Sequence, residues 1–358
     1  MRLIIALTVG TGLFVAPTTA LNAQEGRDAA TIQVEPRNPK IQVAIRALAF
    51  SADGKLLLSD SSRTKTRRVW SLGIIGPAGW HQVPVLDRDQ VQVWEIPANK
   101  ERHHILFEQP DLASCPVAVT GNGVVARSGR NAVTVYDLTT AKVGHTATLE
   151  TRCAGEAVAI SPDGKRVAVA GLDGRLFIWE PTTDRVVRLE AGIAGPVAVA
   201  FWPDGKQLAV AGGQGDVALI EAATGQVVRE RRLPVWGAGR WAFSPDGKTV
   251  AAASVDEVWL WDITRRQRPR VLDGAGEPVH SVVFGPDGTW LVAGHPSAVQ
   301  LWDVASGKRL GSKSVTGKGT EARCLALSPD GKVLAVGDDS GTIRFWNVAE
   351  LRDAPGPK

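Results

Sequence analysis

The side chains that most often carry out catalysis are few and scattered in this sequence. The six histidines are His81, His103, His104, His145, His280 and His295. Only His103 and His104 are close in sequence, and they cannot readily chelate one ion because adjacent residues of a strand point to opposite faces. The chain contains no Gly-x-Ser-x-Gly elbow, no His-Glu-x-x-His zinc motif and no Cys-x-x-Cys-His haem motif. We therefore expect no catalytic residue, no metal site and no cofactor.

Arginine and tryptophan, which often dominate the energetics of binding surfaces, are concentrated in two segments. The first runs from Ser61 to Asp89, and its candidate binding residues are Arg63, Arg67, Arg68, Trp70, Trp80 and His81. The second lies near residue 240, and its candidates are Trp236, Arg240 and Trp241. These residue types favour recognition of a partner. The repeated motifs in the rest of the chain predict the scaffold that positions them.

A turn motif recurs along most of the chain. It reads Ser161-Pro162-Asp163-Gly164 in its clearest form, and its aspartates are Asp53, Asp163, Asp204, Asp246, Asp287 and Asp330. From Asp163 onward they step by 41, 42, 41 and 43 residues. Proline presets the backbone of the turn and glycine accepts positive φ, so the motif between apolar runs predicts a β-hairpin. The aspartates are expected to be structural.

A second marker follows each turn at the end of a later strand. It is occupied by Trp94, Tyr136, Trp179, Trp261, Trp302 and Trp346, with Ile220 in the fourth unit. Each unit then reads as four antiparallel strands, and seven units fit the template. Trp179 follows its turn aspartate by 16 residues, whereas Trp94 follows Asp53 by 41, so the first unit carries an insertion at residues 61–89.

These turns and Trp-Asp-like dipeptides resemble the WD40 repeat, which spans roughly 40–45 residues and forms one four-stranded blade. The resemblance covers about Thr31 to Glu350. It implies an all-β fold, a single seven-bladed β-propeller, whose loops commonly bind partners. The histidine of the family's Gly-His pair has no counterpart in the five clearest units. We therefore expect the buried His-Ser-Trp-Asp network of many relatives to be missing.

The N-terminal segment 1–23 has the features of a secretory signal peptide. Arg2 is followed by an apolar run from Leu3 to Ala16, and small residues favour cleavage near Ala20 or Ala23. The mature protein is thus expected to be periplasmic or secreted, and not an integral membrane protein.

The mature chain then divides into a propeller at residues 24–350 and a Pro-rich C-terminal tail at 351–358. The tail is a poor strand, so the seventh blade lacks a fourth strand of its own. Residues 31–36 alternate apolar and polar side chains, and we expect them to complete that blade and close the ring.

Net charge limits the classes of partner, and the cysteine content limits the possible disulfides. The net charge of +4 is too small to indicate nucleic-acid binding. The cysteines are best interpreted as small buried residues. An oxidising compartment permits one disulfide, for which Cys115 and Cys153 in neighbouring units are the plausible pair.

Together these observations favour an exported, non-catalytic scaffold that binds a protein partner. The alternatives are an exported propeller hydrolase such as a lactonase, and a binder of a sugar or peptide at the channel mouth through Trp236 and Trp241. Two interpretations of residues 61–89 stay open: a partner-binding loop, or a hairpin extension that caps the first blade.

Overall fold

The protein is represented by a computed structural model. The described residues are 31–34, 41–51, 53–71, 79–96, 98, 100–107, 117–119, 124–128, 132–137, 140, 142–149, 155–171, 173–190, 192–193, 195–232, 240–254, 257–265, 268–272, 277–315 and 321–352. The predicted signal peptide, the Cys115 and Cys153 pair, Trp236 and residues 353–358 lie outside this set.

The described chain forms strands and one short helix. Their bounds are β1 Thr31–Gln33, β2 Ile41–Phe50, β3 Leu56–Ser71, β4 Gly79–Glu95, β5 Lys100–Phe107, β6 Val117–Val119, β7 Val124–Ser128, β8 Ala132–Asp137, β9 Val143–Thr148, β10 Gly155–Ile160, β11 Val167–Gly171, β12 Arg175–Glu180, β13 Arg185–Glu190, β14 Pro196–Phe201, β15 Gln207–Gly212, β16 Asp216–Glu221, β17 Val227–Arg232, β18 Arg240–Phe243, β19 Thr249–Ala253, β20 Val258–Asp262, β21 Arg270–Leu272, β22 Ser281–Phe284, β23 Trp290–Gly294, β24 Ala298–Asp303, β25 Arg309–Ser314, β26 Ala322–Leu327, β27 Val333–Asp338, β28 Thr342–Asn347 and α1 Val348–Arg352.

The strands build seven four-stranded antiparallel sheets, which confirms the predicted seven-bladed propeller. Blade 1 is β2–β5, and each later blade takes the next four strands up to β25 in blade 6. Blade 7 has the order β1-β28-β27-β26, with Ile32 opposite Ile343. The N-terminal strand therefore closes the last blade, as expected, through residues 31–33. Closure removes an edge strand that could otherwise pair with other chains.

The recurring turn holds its shape through its own side chains. In blade 3 the Ser161 hydroxyl donates to Asp163 Oδ1 at 2.5 Å, and the Lys165 amide donates to the same oxygen at 3.1 Å. These two hydrogen bonds hold the pKa of the Asp163 carboxyl below its ordinary value. Gly164 has a φ of 72°, a conformation that glycine adopts without strain. The aspartates of this motif lie at exposed turns, where their structural role accounts for their recurrence.

The core consists of seven apolar clusters, one between each pair of consecutive blades, including blades 7 and 1. Alternate residues of a strand face opposite sides of the sheet. Val167 and Val169 accordingly pack toward blade 2, whereas Ala168 and Ala170 pack toward blade 4. The inner strands are thus apolar on both faces, and blade-to-blade packing supplies the ring with its stability.

The marker tryptophans are buried within these clusters, and one of them corrects an expectation. Trp94 Nε1 donates to Ser59 Oγ at 2.9 Å, so blade 1 contains the Ser-Trp part of the family network. Trp179 Nε1 instead donates to Asp184 Oδ1 at 3.1 Å, within the turn that precedes the outer strand of blade 3. The network expected to be missing is therefore present in part.

The C-terminal end of the described chain adds an element that the sequence pattern did not predict. Helix α1 follows the third strand of blade 7 directly, and Leu351 is fully buried in the cluster between blades 6 and 7. The packed part of the chain therefore extends through Arg352, beyond the expected boundary at residue 350.

Candidate functional site

The insertion in blade 1 lengthens two strands instead of forming a loop. Strands β3 and β4 have 16 and 17 residues, whereas the other blades have strands of three to six residues. Their pairing runs continuously from Leu56 opposite Glu95 to Ser71 opposite Gly79. Threonine, valine and tryptophan, which favour extended strands, are frequent in this stretch. The hairpin-extension interpretation therefore describes its form.

The outer part of this hairpin extends past its neighbours in the sheet. Strand β2 pairs with β3 only as far as Lys65, and β5 pairs with β4 only as far as Asp89. Within the described part of the chain, residues 66–71 and 79–84 pair only with each other. We call these two segments the ribbon.

The structure brings five of the candidate binding residues together on the ribbon. Trp70 lies directly opposite Trp80 at its outer end. Arg68 lies opposite Gln82, two residues before Trp70 along β3. Arg67 lies opposite Val83, and His81 lies opposite Val69.

The sixth candidate of the insertion, Arg63, lies at the base of the ribbon, where β3 still pairs with β2. It is opposite Val43 on one side and Arg88 on the other, and its side chain is half-buried. Arg63 therefore belongs to the junction between the ribbon and the ring.

The second group of candidates occupies a different blade. Arg240 is exposed at the start of β18, where its Nε donates to the His280 carbonyl oxygen at 2.7 Å. Trp241 is half-buried and packs against the apolar cluster between blades 4 and 5. Blades 6 and 7 separate this group from the ribbon, so the two groups do not form one site.

Sequence reasoning missed a polar arc across the inner strands of blades 5 to 7. The Arg240 side chain contacts the carbonyl oxygen of His280. The ring of His280 makes a second contact, in which Nδ1 lies 3.1 Å from the Ala322 carbonyl oxygen, and a carbonyl oxygen can only accept a hydrogen bond. Beside it, Arg323 Nη2 lies 2.8 Å from Glu321 Oε2. The inner strands of these blades begin at the end of the sheet where β3 continues into the ribbon. The signal available in the sequence was a polar residue at the start of successive inner strands.

A buried ionic cluster joins blades 1 and 2 beneath the ribbon. Asp60 is fully buried on β3, and its carboxylate lies 3.2 Å from Arg46 Nη2 and 3.5 Å from Arg127 Nε. Arg127 is itself 6% exposed. Most other blades have alanine or glycine at the position of Asp60, so blade 1 has a buried charge at a position that is small and apolar in most blades.

Other chemistry finds little support among the described residues. They contain no group of three or more His, Cys, Asp or Glu side chains that could hold a metal ion. Burial raises the pKa of the Cys324 thiol far above its ordinary value, so this cysteine stays protonated. No helix in the described chain is long and apolar enough to cross a membrane.

Comparison with known proteins agrees with this architecture. The family model described as "WD domain, G-beta repeat" matches residues 141–180, 266–303 and 311–347. A search of curated proteins found no match. WD40 propellers commonly act as protein-interaction scaffolds and are typically not catalysts. Three segments of the chain thus match the WD40 repeat model, and its seven four-stranded blades form a β-propeller of the kind that WD40 repeats build.

Proposed function

We propose that this protein is a non-catalytic scaffold that binds a protein partner through the ribbon of blade 1. The observation that carries the proposal is the extension of β3 and β4 beyond every neighbouring strand of the described chain. At a rise of about 3.3 Å per residue, the six residues 66–71 span roughly 20 Å. A two-stranded hairpin of this kind is only marginally stable in water, and a partner that packs against it would stabilise it.

The composition of the ribbon supports recognition of a partner. Trp70 and Trp80 are cross-strand neighbours, and Arg67 and Arg68 lie on the same strand as Trp70. Aromatic cross-strand pairs stabilise hairpins, and Trp and Arg are the residues that most often dominate binding energy. The ribbon therefore offers a large contact area on a rigid base.

We further propose that binding takes place outside the cytoplasm, because residues 1–23 have the composition of a signal peptide. Expression of the full chain followed by cell fractionation and N-terminal sequencing tests this. A mature N-terminus near residue 21 or 24 in the exported fraction is expected. An intact Met1 in the cytoplasmic fraction would contradict export without affecting the role of the ribbon.

The ribbon can be removed with little disturbance to the ring. Lys65 and Val85 are cross-strand partners, so an Asn-Gly turn in place of residues 66–84 joins them in a two-residue hairpin. Affinity capture from the native cell envelope is expected to lose the partner recovered by the unmodified protein, with the melting temperature preserved.

A matched control removes two arginines elsewhere. Arg231→Ala/Arg232→Ala changes the outer strand of blade 4 and should capture the partner normally. Capture that survives deletion of the ribbon would show that the protein binds through another surface.

A further inference from the structure

The two edges of the ribbon differ in their capacity to accept another strand. Strand β4 contains Pro84, opposite Thr66. Proline has no backbone N–H to donate and is a common guard of exposed strand edges. Residues 66–71 of β3 contain no proline. The edge of β3 is therefore the more complete hydrogen-bonding template of the two.

This edge of β3 lies on the side of the sheet that β2 occupies, and β2 ends before it reaches residues 66–71. Among the described residues, β2 pairs with β3 up to Ile41 opposite Lys65. The residues just before β2 include Pro36 and Pro39, which disfavour a continuous ladder from the same strand. A strand from another molecule could continue the row of β2 along residues 66–71.

The charge around this edge has one sign. Residues 61–86 contain Arg63, Lys65, Arg67 and Arg68 and no aspartate or glutamate. Arg67 and Arg68 are adjacent in the part of β3 that extends past β2. A strand added at this edge would therefore run beside two positively charged residues.

Resting on the proposed scaffold function, we propose that residues 66–71 of β3 bind an extended, acidic segment of the partner protein by strand addition. Main-chain hydrogen bonds to β3 supply affinity that is independent of sequence. Lys65, Arg67 and Arg68 select acidic side chains and speed the encounter. The added strand occupies the channel side of the ribbon, because β2 is the innermost strand of blade 1.

Three labelled peptides separate the parts of this proposal when their fluorescence anisotropy is measured with the full protein. The first alternates glutamate and valine over eight residues, the second replaces every glutamate by lysine, and the third carries two prolines in the middle of the acidic sequence. The acidic peptide is expected to bind. The lysine peptide should not bind, and the prolines should weaken binding about tenfold or more, because they remove main-chain donors.

Charge reversal on the protein locates the site. The double substitution Arg67→Glu/Arg68→Glu should lower the affinity for the acidic peptide by about tenfold at low salt. The matched control, Arg231→Glu/Arg232→Glu in blade 4, changes net charge by the same amount and should leave the affinity within about twofold. Equal losses in both variants would reveal general charge attraction and overturn the assignment to β3.

Other results would also overturn strand addition. Equal binding of the acidic and proline-containing peptides would show that main-chain pairing is not used, and absence of binding by the acidic peptide would exclude this class of segment. These outcomes are distinct from failure of the scaffold function, which the ribbon deletion tests by capture of the native partner.

Discussion

Gly311 lies directly against the carbonyl group of Leu351, so that a Cβ atom on this glycine would overlap the carbonyl oxygen. Gly311 belongs to the outer strand of blade 6, and Leu351 belongs to the helix that follows blade 7. This close approach seats the helix between two blades and buries Leu351 completely. Glycine is required at residue 311 because a side chain there would collide with Leu351.

Gly311→Ala is therefore expected to displace helix α1 and to lower the free energy of unfolding by about 1–3 kcal/mol, as overpacking of a core does. Chemical denaturation monitored by circular dichroism measures it. Gly144→Ala is the matched control, since Gly144 lies on the outer strand of blade 2 and a Cβ there meets its nearest atom at 3.5 Å. Equal stability of the two variants would contradict the role assigned to Gly311.

Gly285 and Trp290 make the turn of blade 6 differ from those of blades 3, 5 and 7, which begin with serine. The indole ring of Trp290 occupies the space that a side chain at residue 285 would need. Gly285→Ser should thus destabilise the protein by about 1–3 kcal/mol, although it restores the residue of the other turns. Thermal and denaturant unfolding of the single variant give this cost.

The same substitution is expected to act differently in a Trp290→Val background. Valine occupies the corresponding position in blade 7, at Val333, where Ser328 donates to Asp330 Oδ1 at 2.6 Å. In the Trp290→Val background, Gly285→Ser should be neutral or should stabilise the turn by about 1 kcal/mol, because the new serine hydroxyl can donate a hydrogen bond to Asp287. A double-mutant cycle with no coupling between the two positions would contradict the proposed contact.

Asp60 pairs with two buried or half-buried arginines, so its loss removes a buried negative charge that both of them contact. Asp60→Asn is expected to lower the free energy of unfolding by about 3–5 kcal/mol, the usual cost of breaking one side of a buried ion pair. Arg102→Gln breaks an exposed pair with Glu95 in the same blade, at 3.5 Å, and should cost about 1 kcal/mol or less. Comparable costs in urea denaturation would show that the Asp60 cluster is not effectively buried.

The number and kind of blades could be predicted from the sequence because the turn residues are dictated locally. Pro162, Asp163 and Gly164 meet backbone demands that recur in every turn of this type, and Trp179 marks the strand end at a fixed distance. Such signals involve neighbours in the chain. These local signals determine the repeat length, and the repeat length determines the number of blades.

Features that depend on distant residues could not be predicted in this way. Asp60, Arg46 and Arg127 come from three strands of two blades, and no local pattern announces their contact. Helix α1 has only five residues, too few for a helical period to emerge. The ribbon was located by its interruption of the repeat, but its form depended on the register between β3 and β4.

Burial of His295 is expected to make the stability of the ring sensitive to acid. It is fully buried after β23, with Nδ1 3.2 Å from the Glu277 carbonyl oxygen and its ring 6.2 Å from that of Trp302. Burial lowers the pKa of His295 below its ordinary value of 6.5, and contacts with Glu277 oppose this only in part. The unfolded chain therefore binds a proton more readily than the native protein.

Because the unfolded state binds more protons below pH 6.5, the contribution of His295 to stability is complete above that pH and declines as the pH falls toward its native pKa. His295→Asn retains a donor for Glu277 and should flatten the dependence of the unfolding free energy on pH below about 6.5. Denaturant titrations at half-unit pH steps measure this slope. His145→Asn, which changes an exposed histidine of blade 2, is the matched control. An unchanged slope in His295→Asn would assign the acid sensitivity to other groups.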